Sequence, residues 1–330
     1  MKIDVHCHLS SPGFAEAIAK KTPYSFRVDR EKGIMTTFLG VNLPLNTEEE
    51  RITHMDRLGI DTQVISVGTV ALLSGQESSC SLRNRMALSE AINDYLASIC
   101  QQYPDRFMAF ADIPLSLKDV DAATHEMIRS TDGLGLNGIS LLTNYDDRHL
   151  DAPELQPFFE EANRRRLVIL LHPKHPLGEM EALRDYSMYA LVGFPYETTL
   201  TVARMVYSGL IERFSKITFI LSHAGGTIPF LWSRIDWGYS VDLPGCRKYL
   251  QRLPSDYLRH FYYDTASADP KSLMLTYERV GDHLIFGTDH PHGRGPDIQR
   301  TVEAIEAMDV PATTKARIFG DNAVALLRKG

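Results

Sequence analysis

The sequence predicts an α/β fold in which eight parallel strands, each followed by a helix, close into a (β/α)8 TIM barrel. Three observations carry that expectation. Eight short apolar runs alternate with longer segments of helical period, and several of the runs end on or are directly followed by a histidine or an aspartate. The 330 residues, 44% hydrophobic and 23% charged, suffice for one large core. A doubly wound open sheet competes, but the strand count fits closure. The chain 1–330 reads as one domain, without internal repeat, linker or low-complexity tract.

In order, the runs are KIDVH (2–6), DTQVISV (61–67), RFMAFA (106–111), GLGLNGISLL (133–142), RLVILL (166–171), ITFILS (217–222), HFYYDTA (260–266) and HLIFGT (283–288). Helices are expected between them. In NTEEERITHMDRLG (46–59), Asn46 or Thr47 can cap the helix, and the glutamates that follow suit the positive end of its dipole. The segments 82–103, 152–166 and 198–214 also show the helical period. Two stretches depart from an ideal barrel: 9–46 is too long for a simple turn and is expected to shape a pocket, and 311–328 adds a helix after the last unit.

A net charge of −7 argues against a nucleic-acid partner, which would require a basic face. Cys7, Cys80, Cys100 and Cys246 are far apart and form no CxxC pair, so neither a disulfide framework nor a cysteine zinc site is expected. The N-terminus enters a strand-like run directly, and no stretch reaches the ~18 apolar residues of a membrane span. A cytoplasmic location is the expectation.

The opening MKIDVHCHL puts His6 and His8 two residues apart in a strand, so both point inward while Val5 and Cys7 pack on the other face. Two imidazoles at the end of a strand make half of a metal site. Other candidates occupy equivalent places: His172 follows the fifth run in ILLHPKHP, His223 the sixth in ILSHAGG, and Asp289 the eighth in IFGTDHPHG. The C-terminal ends of its strands are where such a barrel gathers reactive groups from distant parts of the chain. Three imidazoles and a carboxylate suit zinc with one open position for water, and manganese or iron accepts the same donors.

These residues, within KIDVHCH, ERITHMDRLGIDTQVIS, LLHP, LVGFPYETT, FILSHAGGTIPFLWSRIDWGY, YYDTASADPKSL and IFGTDHP, give a chain that resembles the amidohydrolase superfamily over nearly its whole length. The likeness is to the branch typified by 2-amino-3-carboxymuconate-6-semialdehyde decarboxylase. It implies that His6, His8, His172 and Asp289 are metal ligands and that His223 is the acid/base histidine. Binuclear members of the superfamily carry a lysine at the end of the fourth strand, where GLGLNGISLL has none, so one divalent ion, zinc first, is implied, without an organic cofactor.

The implied activity is decarboxylation of an aromatic acid or a carboxymuconate semialdehyde. In one family route, hydroxide adds to the conjugated carbon chain before carbon dioxide leaves. In the other, the metal holds carboxylate and phenol oxygens while an acid, Asp289 by position, protonates the ring carbon. A metal-dependent hydrolase or hydratase of a lactone, amide or C–C bond is the alternative. A barrel that only binds through a vestigial site is a third reading, disfavoured by the complete ligand set.

The family's first long loop carries a carboxylate-binding arginine, whereas GIMTTFLGVN has none and Arg27 lies upstream, which keeps the alternative open. Arg234, in LWSRIDWGY, matches a motif arginine that in relatives approaches the substrate or the subunit interface; pairing with Asp236 is its other reading. Partners implied are a small carboxylate substrate and a second copy, in a homodimer or homotetramer, with neither nucleic acid nor membrane.

His175, His290 and His292 lie in the ligand-bearing loops, as orienting groups, substrate contacts or solvated residues. Asp4 shares the expected face of His6 and is a candidate acceptor for an imidazole proton, or else a strand-start carboxylate satisfied by backbone. Gly225 and Gly226 fit a tight turn as well as an anion cradle. The REK and EEE runs read as solvated faces, and Cys7 as a small apolar group behind the site. Phe230, Trp232, Trp237 and Tyr239 read as core or dimer interface.

Overall fold

Seven of the eight runs form strands that pair in chain order: β1 (Ile3–His8), β2 (Thr62–Ser66), β3 (Phe107–Asp112), β4 (Gly138–Leu142), β5 (Val168–His172), β6 (Thr218–Leu221) and β7 (Tyr262–Tyr263). Each pairing is parallel. The eighth run closes the ring. Ile285 N–H donates to Tyr263 O at 2.9 Å, Val5 N–H to Phe286 O at 2.9 Å, and Asp289 N–H to His6 O at 2.7 Å. The expected barrel is therefore present, in a computed structural model that describes residues 1–38, 42–67, 81–178, 180–266, 269–292 and 297–327.

One irregularity matters for everything above the ring. β1 pairs with β2 as Asp4 to Gln63 and then as Cys7 to Ile65, so β1 carries one extra residue, a β-bulge. A strict alternation would send Val5 and His6 to opposite faces. Instead Val5 joins Ile3 in a buried cluster with Val64, Phe110, Val168, Leu170, Ile220 and Ile285, which fills the ring, while Cys7 packs with the larger outer core. The expectation that Val5 packs with Cys7 is thus corrected, because the bulge resets the alternation and lets Val5, His6 and His8 all face inward. Ala323 and Leu327 of the terminal helix complete the inner cluster.

The outer helices largely follow their sequence signals. Thr47, not Asn46, caps Glu48–Leu58 through a reciprocal capping box with Glu50, and Gly59 ends it at φ 66°. The EEE run is not uniformly solvated: Glu48 is buried, and its Oε1 accepts from Ser11 Oγ at 2.5 Å and Tyr95 OH at 2.9 Å, tying this helix to the first loop. The segment 198–214 divides into Phe194–Tyr207 and Leu210–Arg213, because Gly209 between them adopts φ 72°. The 311–328 segment likewise divides, into Ala312–Ala316, a wide turn at Arg317–Asp321, and Asn322–Leu327.

The long 9–46 stretch holds the helix Pro12–Lys21, capped by Ser11, and an antiparallel sheet of Arg27–Asp29, Ile34–Thr36 and Asn42–Pro44. Cys7, Cys100 and Cys246 are free thiols, and Cys80 lies outside the described residues. Among the described residues no helix is long and apolar enough to cross a membrane.

The packing of the ring interior is testable. Phe110 is fully buried, and Gly138 makes room for it, since a Cβ at that glycine would stand 3.0 Å from the Phe110 ring. Phe110→Ala is expected to cost ~3–5 kcal/mol in urea denaturation; a loss below ~1 kcal/mol would show that the ring is not packed tightly there.

Candidate metal centre

The bulge delivers both β1 imidazoles to one mouth of the barrel. His6 Nε2 and His8 Nε2 lie 3.2 Å apart, and Asp289 Oδ1 is 3.3 Å from the first and 3.0 Å from the second. At the end of β5, the His172 ring centroid is 5.2 Å from that of His6 and 4.9 Å from that of His8. His223, beyond β6, places Nε2 3.2 Å from Asp289 Oδ2. One ligand atom each from His6, His172, His223 and Asp289 lie within 4.8 Å of one another, and so do one each from His8, Asp289 and His292. All five residues predicted at strand ends come together.

The spacing suits a cation. Four donors arranged tetrahedrally at ~2.0–2.1 Å are ~3.3–3.4 Å apart. The His6, His8 and Asp289 atoms approach that separation already. Two buried atoms among them, His172 Nε2 and Asp289 Oδ1, have no hydrogen-bond partner. Asp289 Oδ1 is within ion-pair reach of two imidazoles yet meets neither with hydrogen-bond geometry. Buried polar atoms left this way are costly unless something between them accepts their lone pairs. The donor set therefore fits a divalent ion.

The far side of each ring fixes its orientation. His6 Nδ1 is 2.5 Å from Asp264 Oδ2, His8 Nδ1 is 3.1 Å from Ser66 Oγ, and His172 Nδ1 is 3.0 Å from Pro173 O. Engaging Nδ1 leaves Nε2 free to point at the mouth. Asp264, next after β7, escaped the sequence reading because it lies inside the seventh run, HFYYDTA, whereas His172 and His223 directly follow theirs.

Burial pushes His8 down to about 3 and His172 well below the usual imidazole range. For His6, burial opposes charge, but the Asp289 and Asp264 carboxylates outweigh it and hold the imidazole up at about 10. Burial also opposes ionisation of Asp289, yet the His6 charge and the hydrogen bond with His223 keep it well below the carboxylate range. Without a metal, these surroundings favour the charged form of His6 and the neutral forms of His8 and His172.

Three non-glycine residues of the site have left-handed backbone: His223 (φ 53°), Ala224 (φ 53°) and Asp289 (φ 62°). Each such conformation costs on the order of 1–3 kcal/mol and must be held by its surroundings. Gly225 and Gly226 continue the turn at φ 73° and 66°; a Cβ on Gly225 would lie 2.5 Å from the Tyr263 ring, and one on Gly226 would strike Pro195 O. They serve the tight-turn reading.

Asp4 does not share the face of His6, again because of the bulge. Its Oδ1 accepts from His6 N–H (3.2 Å) and Thr288 N–H (3.1 Å), and its Oδ2 from Thr288 Oγ (2.7 Å) and Gln63 Nε2 (3.0 Å). Burial pushes this carboxyl up to about 6. Gln63 Oε1 accepts in turn from Arg51 at 3.0 Å, and Arg51 also donates to His8 O. Outside the ring, then, Asp4, Gln63 and Arg51 clamp β1 to the eighth run.

His290 Nε2 is 2.7 Å from Asn46 Nδ2, which ties the eighth loop to the first. The His292 ring is tilted by 53° against that of His8, with centroids 4.8 Å apart, whereas His175 packs on Tyr189 at 4.9 Å, outside the ligand cluster. Arg234 is exposed on the helix Ile228–Ser240 and makes no ion pair among the described residues; Asp236 Oδ1 accepts from Ser255 N–H at 2.8 Å instead. On that helix Phe230 (78% exposed) and Trp237 (50% exposed) face solvent, while Trp232 is buried.

Known proteins share this arrangement of strands and sequence. The chain is 28% identical over 279 residues to the 2-amino-3-carboxymuconate-6-semialdehyde decarboxylase of Dictyostelium discoideum, covering 84% of this chain and 75% of that protein. It is 28% identical over 298 residues to the gamma-resorcylate decarboxylase of Rhizobium sp. (strain MTP-10005), covering 86% and 88%. A crystal structure of 2,6-dihydroxybenzoate decarboxylase from Rhizobium superposes with a TM-score of 0.77 at 25% identity, covering 99% of this chain and 98% of that one. The amidohydrolase family model matches residues 3–329, and the chain belongs to that family.

Proposed function

We propose that the protein is a metal-dependent carboxy-lyase that removes carbon dioxide from an aromatic acid or a related ring-cleavage semialdehyde. The observation that carries this reading is the convergence of His6, His8, His172 and Asp289 with His223 held 3.2 Å from Asp289 Oδ2. Decarboxylase relatives along most of the chain support it. His6, His8, His172 and Asp289 are assigned to one ion, zinc first and manganese or iron next, and β4 ends at Leu142 with no lysine to bridge a second. When bound, such an ion acts as a Lewis acid toward substrate oxygens.

The chain's own groups handle the proton. Replacing a carboxylate by hydrogen requires one proton at carbon, and the His223–Asp289 pair, with side chains 14% and 18% exposed, is the part of the cluster open to a substrate. His223 holds the proton at Nε2, and Asp289 Oδ2 relays it to the reacting carbon. Arg234 is assigned to a substrate carboxylate, and the exposed face that carries it with Phe230 and Trp237 to self-association as a dimer or tetramer.

Four measurements test this reading. His223→Ala is expected to keep about one equivalent of metal and lose at least ~100-fold in turnover, whereas His172→Ala and Asp289→Ala lose both; near-normal turnover of His223→Ala would remove it from proton transfer. Release of labelled carbon dioxide from carboxylated aromatics is the assay, and water incorporation without carbon loss would contradict decarboxylation. Because metal must displace the His6 proton, held up to about 10, affinity is expected to rise about tenfold per pH unit from pH 6 to 9. A flat profile in calorimetry would refute that displacement. Arg234→Ala is expected to raise KM at least ~10-fold with metal content unchanged; an unchanged KM would take Arg234 out of substrate binding.

A further inference from the structure

Asp264 uses both carboxylate oxygens, and they reach different parts of the centre. Oδ2 lies 2.5 Å from His6 Nδ1. Oδ1 accepts from Ala224 N–H at 2.9 Å and from Ala266 N–H at 3.1 Å. The first contact fixes a ring on β1. The second holds the left-handed turn, His223 and Ala224 both at φ 53°, that aims His223. Asp264 is fully buried. The space for the pair comes from the eighth run: a Cβ on Gly287 would fall 2.9 Å from His6 Cβ and 3.0 Å from Asp264 Cβ.

We propose that Asp264 is a positioning residue that couples the metal site to proton transfer, orienting His6 with one oxygen and the His223 turn with the other. Accepting the His6 Nδ1 proton keeps Nε2 available to a cation. Accepting the Ala224 N–H holds a backbone conformation that the residues themselves disfavour. The two functions are separable by chemistry. In Asp264→Asn, the amide oxygen still accepts from Ala224 and Ala266, but the amide nitrogen faces His6 Nδ1 and favours the tautomer with its proton on Nε2. In Asp264→Ala, both supports vanish.

The inference rests on the metal reading above. Metal affinity, thermal midpoint and carbon dioxide release at saturating zinc or manganese are measured for wild type and both variants. Expected for both variants is a ~10–100-fold loss of metal affinity. At saturating metal, Asp264→Asn should recover to within ~3-fold of wild-type turnover, while Asp264→Ala stays at least ~10-fold below it. Gly287→Ala, which crowds the same pair from the other side, should also weaken metal binding. Wild-type affinity in Asp264→Asn would overturn the orienting role, and equal turnover of the two variants at saturating metal would overturn the coupling. A wild type that binds no metal would overturn the metal reading and this inference together, whereas a metal-binding wild type with unaffected variants overturns this inference alone.

Discussion

One extra residue in β1 governs the upper half of the barrel. Side chains of a regular strand alternate, so a row that begins inward with Ile3 and Val5 would continue with Cys7 and turn both histidines outward. The bulge between Asp4 and Cys7 breaks that alternation once. Below it, apolar side chains fill the ring; above it, His6 and His8 face the same axis. Asp4, left on the outer face, meets Gln63 and Thr288 there and secures the irregular stretch. A barrel with a dry, packed floor and a polar mouth follows from that single insertion.

The mouth is electrostatically unfinished as a set of protein groups alone. Burial drives His8 and His172 toward the neutral form, while two carboxylates draw a proton onto His6. That proton occupies the region where a cation would meet the same donors. Neutral, correctly presented imidazoles beside an ionised carboxylate are what a divalent ion needs, and their rear hydrogen bonds to Asp264, Ser66 and Pro173 prevent them from turning to find other partners.

Much of this was legible in the sequence. Eight apolar runs predicted the ring, and the polar residues closing them predicted His6, His8, His172, His223 and Asp289. What escaped was whatever depends on register or on contacts across the fold. Asp4 and Asp264 are both acids at strand ends, but only the bulge decides that the first turns away and the second meets His6. Glu48 looked like part of a solvated acidic run because the sequence does not show Ser11 and Tyr95 converging on it. Gly209 lay inside a helical period that its left-handed backbone interrupts. The first long stretch hid its small sheet because strands of three residues carry almost no period.

The lower end of the ring has its own consequence. Ala323 and Leu327 pack beneath the Ile3, Val5, Val168 and Ile220 layer, so the barrel is a well with a floor and not a conduit. Whatever enters from above must back out along the route it took, and a spent molecule lingering at the rim bars the next arrival. At that single opening the first loop meets the eighth, where Asn46 lies against His290.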